Sequence, residues 1–518
     1  MQRRDLQHCL CSVLHSEHRT IWGDISLSII FLEQSVYLAN LLVIFVVVNV
    51  QDSYMSILDD LFANSRTASD IIDGLMEKSV SVPLWEDLQK DYEPQMHRIV
   101  EDKTDRIDKV LEGGRTEKAS RIYVGLEKLL VNRMSEYMFA IPVQRVYSGL
   151  DNDTRKQIAD AIEKIYKHAR IDTTNLKRGV AYFGACEFCT IWYAVKKPNT
   201  LYGFNSEYKL KCTTFTPMDG TDIYPLFDEY GDLLALSIHY KRKVKDEFQE
   251  FFETYTDKRH IKWQHDGEWK EIINDEIELL KIPAIYGYRN KPIYDGLSYI
   301  REEIEYTLSR NSDVIAYNSA PIIKVVGQLQ GEEKKGESQR IMRVQEGGDV
   351  SYVSWQQSTE AMKYHIETLT KMFWSQAQMP DISFENMSHL GNIGYDARKT
   401  MFADAELKVG DEKGIWIELL ERECNVVKAF LAKMNTKWAK EIENVQVEHV
   451  ITAFKQDDEK SKIDMFVTAN GGKPVISHKD SIELAGLSSD PDKTYEDLQA
   501  EQAAAAMARV NSLYEVAE

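Results

Sequence analysis

Apolar residues recur at three- and four-residue spacing along much of 55–170. "SRTASDIIDGLMEK", "MHRIVEDKTDRIDKVLEG" and "TRKQIADAIEKIYKHA" each carry the pattern, and each predicts a helix. Asp151 or Asp153 is placed to cap the third. From about Gly179 the period changes to two. "GVAYFGACEFCTIWYAV" is rich in aromatic and β-branched residues and predicts a buried strand pair. "LKCTTFTPMD", "LLALSIHYKRKV" and "EFFETYT" predict further strands. "HIKWQHDGEWKEI" predicts a hairpin turning at Asp266 and Gly267. The pattern describes a β-rich block on a helical base, an α+β chain.

A helix is expected from about Asp295 to Asn318, with Leu297, Ile300, Ile304 and Leu308 as its apolar stripe. "PIIKVVG" reads as a short strand, "QLQGEEKKGESQ" as a polar exposed loop, and "IMRVQEGGDVSYVSW" as a returning strand. A second helix follows from about Ser358 to Ala377, with Met362, Ile366, Leu369 and Phe373 on one face. The inserted unit at 320–353 is too small to bury a core alone, which suggests copies packed side by side. After "SQAQMPDISFENMSHLGNIGYDARKTM" comes the longest helical candidate, about Tyr395–Lys433, reaching roughly 60 Å. Gly410 and Gly414 lie inside it as candidate kinks. Residues 441–518 read as helical and polar, and "QAEQAAAAMARV" is a strong helix former.

The 518 residues exceed one ordinary core, so several domains are expected. The formal net charge is −20, with 83 acidic against 63 basic residues. A protein that grips nucleic acid by neutralising phosphates needs a basic surface, so that class is disfavoured. An acidic wall past which nucleic acid slides is compatible. Six scattered cysteines imply no disulfide framework.

The stretch "SVYLANLLVIFVVVNV" (Ser35–Val50) is strongly apolar, and with residues back to Leu27 it is long enough to span a bilayer, although Glu33 and Gln34 interrupt it. Met55 opens what reads as an ordinary cytosolic start. Three readings of 1–54 stand open: translated upstream sequence, a membrane anchor, or a buried helix.

No phosphate loop, nucleophile elbow or H-E-x-x-H motif occurs. Cys186 and Cys189 have the spacing of half a zinc site, but no second pair follows. Packing in a β core is the simpler reading. "YKRKVK" (Tyr240–Lys245) is a local basic run, read as a guarded strand edge ahead of a DNA contact. No enzyme and no cofactor is expected.

Several motifs occur in a telling order. An Ile-Pro step at 282–283 leads through "SRNSD" (Ser309–Asp313) into "PIIKVVG". Pro380-Asp381, Gly391-Asn392, Gly394 and Ala397 follow the second helix. Gly471-Gly472, Ile476-Ser477, Asp490-Pro491 and the acidic Glu496 and Glu501 close the chain. This order resembles the tailed-bacteriophage portal, or head-tail connector, proteins over about 281–501. Residues 80–280 agree in general character and 1–54 match nothing in the family. Ile393 departs from it, standing where a small polar residue is usual.

Beyond the apolar N-terminal extension (1–54), which lies outside the family pattern, the resemblance implies a portal-type α+β fold: a wing (55–285), a first stem helix (286–319), a clip (320–353), a second stem helix (354–379), a tunnel loop (380–394), a long wing helix (395–440) and a crown (441–518). It implies a ring, usually of twelve copies, at the capsid vertex. Double-stranded DNA passes through it non-specifically, and the terminase large subunit and then head-completion or adaptor proteins dock on it. Major capsid and scaffold proteins are further implied partners. The setting is the virion, and the host cytoplasm during assembly. Asn386, Ser388, His389, Gly391, Asn392 and Gly394 would face DNA from the tunnel loop. Glu332, Glu333, Lys334, Lys335 and Arg340 would be motor-docking candidates in the clip. Another phage head or connector protein is the alternative, followed by a membrane-anchored or zinc-binding protein.

Overall fold

The computed structural model describes residues 58, 61–62, 66–110, 113–114, 116–277, 279–318, 322–335, 339–353, 359–381, 402–454, 459–471, 475–486, 488 and 490–515. The first helix described in full is α1 (Ala68–Leu75), opened by a Thr67–Asp70 capping box, followed by α2 (Trp85–Tyr92) and the single turn α3 (Arg98–Glu101). The helix expected over 96–113 stops there. The Asp102 carboxylate accepts the backbone N–H groups of Thr104 and Asp105, a local turn that competes with helix. The chain continues extended into the small β1 (Lys109–Val110)–β2 (Thr116–Glu117) pair.

Helix α4 (Leu126–Phe139), strand β3 (Gln144–Ser148), and helices α5 (Asp153–Ala169) and α6 (Ile171–Ala185) follow. The cap of α5 is Asn152, whose side chain accepts from Arg155 N, rather than Asp151 or Asp153. Helix α6 also corrects the expected strand at 179–185. A Cβ on Gly179 would lie 3.0 Å from Ser135 Oγ and 3.2 Å from Phe139, so the glycine lets α6 lie close on α4. Tertiary packing overrides the local β pattern here. The helix ends at Cys186, which has φ +65°.

The β-rich block holds two antiparallel sheets. β4 (Glu187–Asn199), β5 (Ser206–Phe215) and β11 (Ala284–Tyr288) form one, in the order β11-β4-β5. β6 (Thr221–Phe227), β7 (Leu233–Val244), β8 (Glu247–Tyr255), β9 (Arg259–Asp266) and β10 (Glu268–Glu276) form the other, in the order β10-β9-β8-β7-β6. The expected hairpin is β9–β10, turning at Gly267 with φ +77°. Strand β6 had no strand signal because Pro225 interrupts it. As an edge strand it tolerates the proline. Cys189, Ile191, Ala284 and Tyr286 face Ile223, Leu236 and Ile238 between the sheets.

Helix α7 (Ser298–Asn318) runs out, and α8 (Thr359–Gln376) returns against it. Between them lie β12 (Ile322–Val326), β13 (Leu329–Lys335), β14 (Gln339–Val344) and β15 (Asp349–Val353). The expected loop at 328–339 is instead largely the β13–β14 hairpin, nested within the β12–β15 pair. The expected single returning strand is two, separated by a turn at Gly347, φ +87°.

Helix α9 (Ala403–Met434) is continuous through Gly410 and Gly414, without the expected break. Its 32 residues span about 48 Å. Strand β16 (Gln446–Val450) corrects the all-helical expectation for 441–518 by pairing with β3. Helices α10 (Glu459–Asn470), α11 (His478–Ala485) and α12 (Pro491–Glu515) end the chain. One main core joins α4, α5, α6, β4 and α9 through Leu130, Ile162, Phe183, Trp192, Trp416 and Leu431.

Candidate functional site: a two-helix arm and its buried polar anchor

The expected apolar stripe of α7 is present. Leu297 and Ile304 are buried, and Ile300 and Leu308 half-buried. A second stripe carries the anchor. Arg301, Glu305, Ser309 and Asp313 recur every four residues on one face. The first three are fully buried and polar. Arg301 Nε donates to Glu127 Oε1 at 2.9 Å, Nη2 to Asp91 at 2.6 Å, and Nη1 to Glu305 at 3.2 Å. His97 Nδ1 lies 2.6 Å from Glu305 Oε1.

The irregular segment 120–124 lies along this stripe. Val124 N donates to Glu305 at 2.9 Å, Ile122 N to Ser309 Oγ at 2.8 Å, and Ser120 N to Asp313 at 2.8 Å. The match is geometric. Two extended residues advance about 6.6 Å, and four helical residues advance about 6 Å. A stretch with no ladder of its own thereby satisfies alternate amides on helix side chains. Arg106 pairs with Asp313, and Tyr306 donates to Asp102. The "SRNSD" step contributes both Ser309 and Asp313 to this anchor.

Burial pushes the Glu127 carboxyl upward, opposed by the Arg301 guanidinium. Glu127, Glu305 and Asp313 each pair with an arginine, as burial of charge requires, while Glu127 Oε2 is buried without a hydrogen bond among the described residues.

The returning helix is fixed at its end. Phe373, Trp374, Ala377 and Met379 are buried, and the Arg133 guanidinium stacks 4.3 Å from the Trp374 ring. Lys408 Nζ of α9 donates to Ala377 O at 2.6 Å, and burial lowers its pKa to about 8. The Pro380-Asp381 step sits here, with Asp381 3.8 Å from Arg133. Helix α9 is held by Glu423, which accepts two bonds from Arg178 at 2.5 and 3.0 Å and one from Trp192 Nε1 at 2.8 Å.

Asn386, Ser388, His389, Gly391, Asn392 and Gly394 lie outside the described residues. The clip candidates fall on the β13–β14 hairpin, where Glu332 pairs with Met342, Glu333 with Ile341, Lys334 with Arg340, and Lys335 with Gln339. The register therefore brings Lys334 and Arg340 directly opposite. Cys186 and Cys189 are buried, and burial pushes both thiols up, Cys186 to about 12. Among the described residues no group of three His, Cys, Asp or Glu is placed to hold a metal. No described helix is long and apolar enough to cross a membrane. Residues 27–50 lie outside the described residues.

An α+β body that fixes a two-helix arm through buried ion pairs is the build of a structural connector subunit. The chain belongs to the phage portal protein family, SPP1 Gp6-like, whose profile matches residues 79–507. No curated protein matches it. Among solved structures it is similar to a chain in the neck of an empty GTA particle computed with C6 symmetry. That match has 11% identity over 70% of this chain and 89% of the other, with a TM-score of 0.35. It is also similar to a chain of the virion of a native gene transfer agent particle, at 10% identity over 79% and 95%, with a TM-score of 0.37.

Proposed function

We propose that copies of this chain, twelve in the family's usual manner, close into a ring at the capsid vertex and form the channel for double-stranded DNA packaging and ejection. What carries this reading is the family match, which runs through the whole arm as well as the body. In the ring the body (55–285) is the wing, α7 and α8 are the stem, 320–353 the clip, 380–394 the channel loop, and 441–518 the crown. The nested hairpins suit a clip. Four short strands cannot bury a core alone, so neighbouring copies complete it.

The terminase large subunit docks on the β13–β14 hairpin, with head-completion proteins following it. Glu332, Glu333, Lys334, Lys335 and Arg340 are the contacts. The strand register pairs position 334 with position 340, so two basic residues of the sequence stand together on the hairpin, which suits an acidic partner. Asn386, Ser388, His389 and Asn392 offer neutral hydrogen bonds to passing phosphates, with Gly391 and Gly394 as joints. The virion is the site of action, with assembly in the host cytoplasm. The net charge of −20 suits a conduit that must not retain its cargo.

The docking reading is tested with Lys334→Glu/Arg340→Glu in an in vitro packaging reaction. Rings are expected to form normally while motor binding and packaging fall at least about tenfold. Unchanged packaging would place docking elsewhere.

A further inference from the structure

Strands β7 and β8 outrun their neighbours. β6 pairs with β7 only as far as Tyr240, and β9 pairs with β8 only from Glu250. Residues 241–249 therefore project as a free two-stranded finger, turning at Lys245 with φ +58°. The finger carries Lys241, Arg242, Lys243 and Lys245 against Asp246 and Glu247 at its turn, all exposed, a net positive charge, and Phe248 at 75% exposure. Lys241 lies 3.4 Å from Glu250, while Arg242, Lys243 and Lys245 make no ion pair with a described residue.

The other end of β7 opens a groove of about 810 Å³ between the β6–β7 turn, the end of β11 and one face of α9. Tyr230, Tyr288 and Ile415 give it exposed apolar walls. The turn carries Asp228, Glu229 and Asp232, none in an ion pair with a described residue. Asp228 instead accepts the backbone N–H groups of Tyr230 and Asp232. Arg289 and Arg422 in the walls already face Glu412 and Glu418. The floor is an open strand edge. Trp192 N donates to Pro283 O and Arg289 N to Cys186 O, so the odd-numbered residues of β11 face β4. The main-chain groups of Ala284, Tyr286 and Tyr288 thus point away from β4, and β11 has no second strand partner among the described residues.

We infer that the β7–β8 finger of one subunit seats in this groove of its neighbour, resting on the portal reading above. Phe248 enters the aromatic walls as an anchor, and the basic residues meet the acidic turn. β7 holds the two surfaces apart by about 36 Å over its twelve residues. A chain cannot fill its own groove across that strand. Donor and acceptor surfaces on opposite ends of one subunit make a head-to-tail contact, the kind that closes rings. This contact also gives "YKRKVK" a role: its Lys241–Lys245 part is the exposed margin of a finger rather than a guard on a sheet edge.

The test uses the full chain and two charge reversals, R242E/K243E on the finger and E229K/D232K on the turn. All four residues are exposed, so folding is expected to be unchanged, checked by thermal melting. Sedimentation velocity is expected to show each variant alone needing about tenfold more protein, or greater, for half-assembly at low salt. An equimolar mixture has complementary charges at every contact and is expected to return to within about threefold of the unaltered chain. Phe248→Ala is expected to weaken assembly at any salt concentration. If the unaltered chain forms rings and all variants do so equally, this contact is wrong and the portal reading stands. If R242E/K243E lowers only retention of duplex DNA, the finger is a nucleic-acid contact and the inference falls. If the unaltered chain forms no ring, both fail.

Discussion

Arg301 of α7 and Glu127 of α4 form an ion pair of 2.9 Å in which neither side chain is more than 1% exposed. Glu305, equally buried, shares the same guanidinium. Removing Arg301 would leave the buried Glu127 carboxyl without its ion-pair partner, and Glu305 with only His97 and the Val124 N–H. Arg301→Met is expected to cost about 3–5 kcal/mol. Glu127→Gln keeps a polar group for Arg301 and is expected to cost about 1–3 kcal/mol. Chemical denaturation checks both. A loss under about 1 kcal/mol for Arg301→Met would mean that apolar packing alone holds the arm to the body.

Two glycines of the body predict opposite outcomes. A Cβ on Gly287 would lie 2.5 Å from Phe188 and 3.1 Å from Leu419, so β11 runs close beneath α9 only with glycine there. Gly287→Ala is expected to destabilise by about 1–3 kcal/mol. Gly410 in α9 has nothing within 4 Å of its added Cβ. Gly410→Ala is expected to stabilise by about 0.5–1 kcal/mol. Melting temperatures that moved the same way for both would contradict the packing described.

His449 gives the protein a pH dependence. It is buried on β16, directly opposite Arg145 of β3. Burial first, and then the Arg145 charge, lowers its pKa to about 4 from 6.5. The unfolded chain therefore binds the extra proton between those values. Stability from neutral His449 is complete above about pH 6.5 and is lost as pH falls toward 4, on the order of 3 kcal/mol in all. His449→Gln is expected to flatten that part of the stability–pH curve. An unchanged slope would assign it to other groups.

The sequence pattern located much of this architecture. The ends of β7, the β9–β10 hairpin and both arm helices follow from their periodicity, because each buries one regular face. The pattern failed where long-range contacts decide. Residues 179–185 are helical because Gly179 admits α4, and 102–108 leave the helix because Asp102 and Arg106 bond elsewhere. The anchor was half legible. Arg301, Glu305, Ser309 and Asp313 stand at helical spacing beside the apolar stripe, a signal visible in the chain but easily read as a solvated face. Their partners His97, Arg106 and Glu127 come from residues 174 to 208 positions away, and no local pattern announces them.

Residues 384–394 separate two roles of the arm. If the loop contacts DNA in the channel, its deletion leaves ring assembly intact and stops packaging. Electron microscopy of the deleted protein and a packaging assay read the two effects independently. Loss of the ring itself would make the segment a clamp between subunits.

The central claim is that this chain closes into a ring around a channel. Negative-stain imaging of protein expressed from Met55 tests it most directly. Closed rings with a central hole are the predicted result, and a homogeneous monomer under every salt and concentration condition would contradict it.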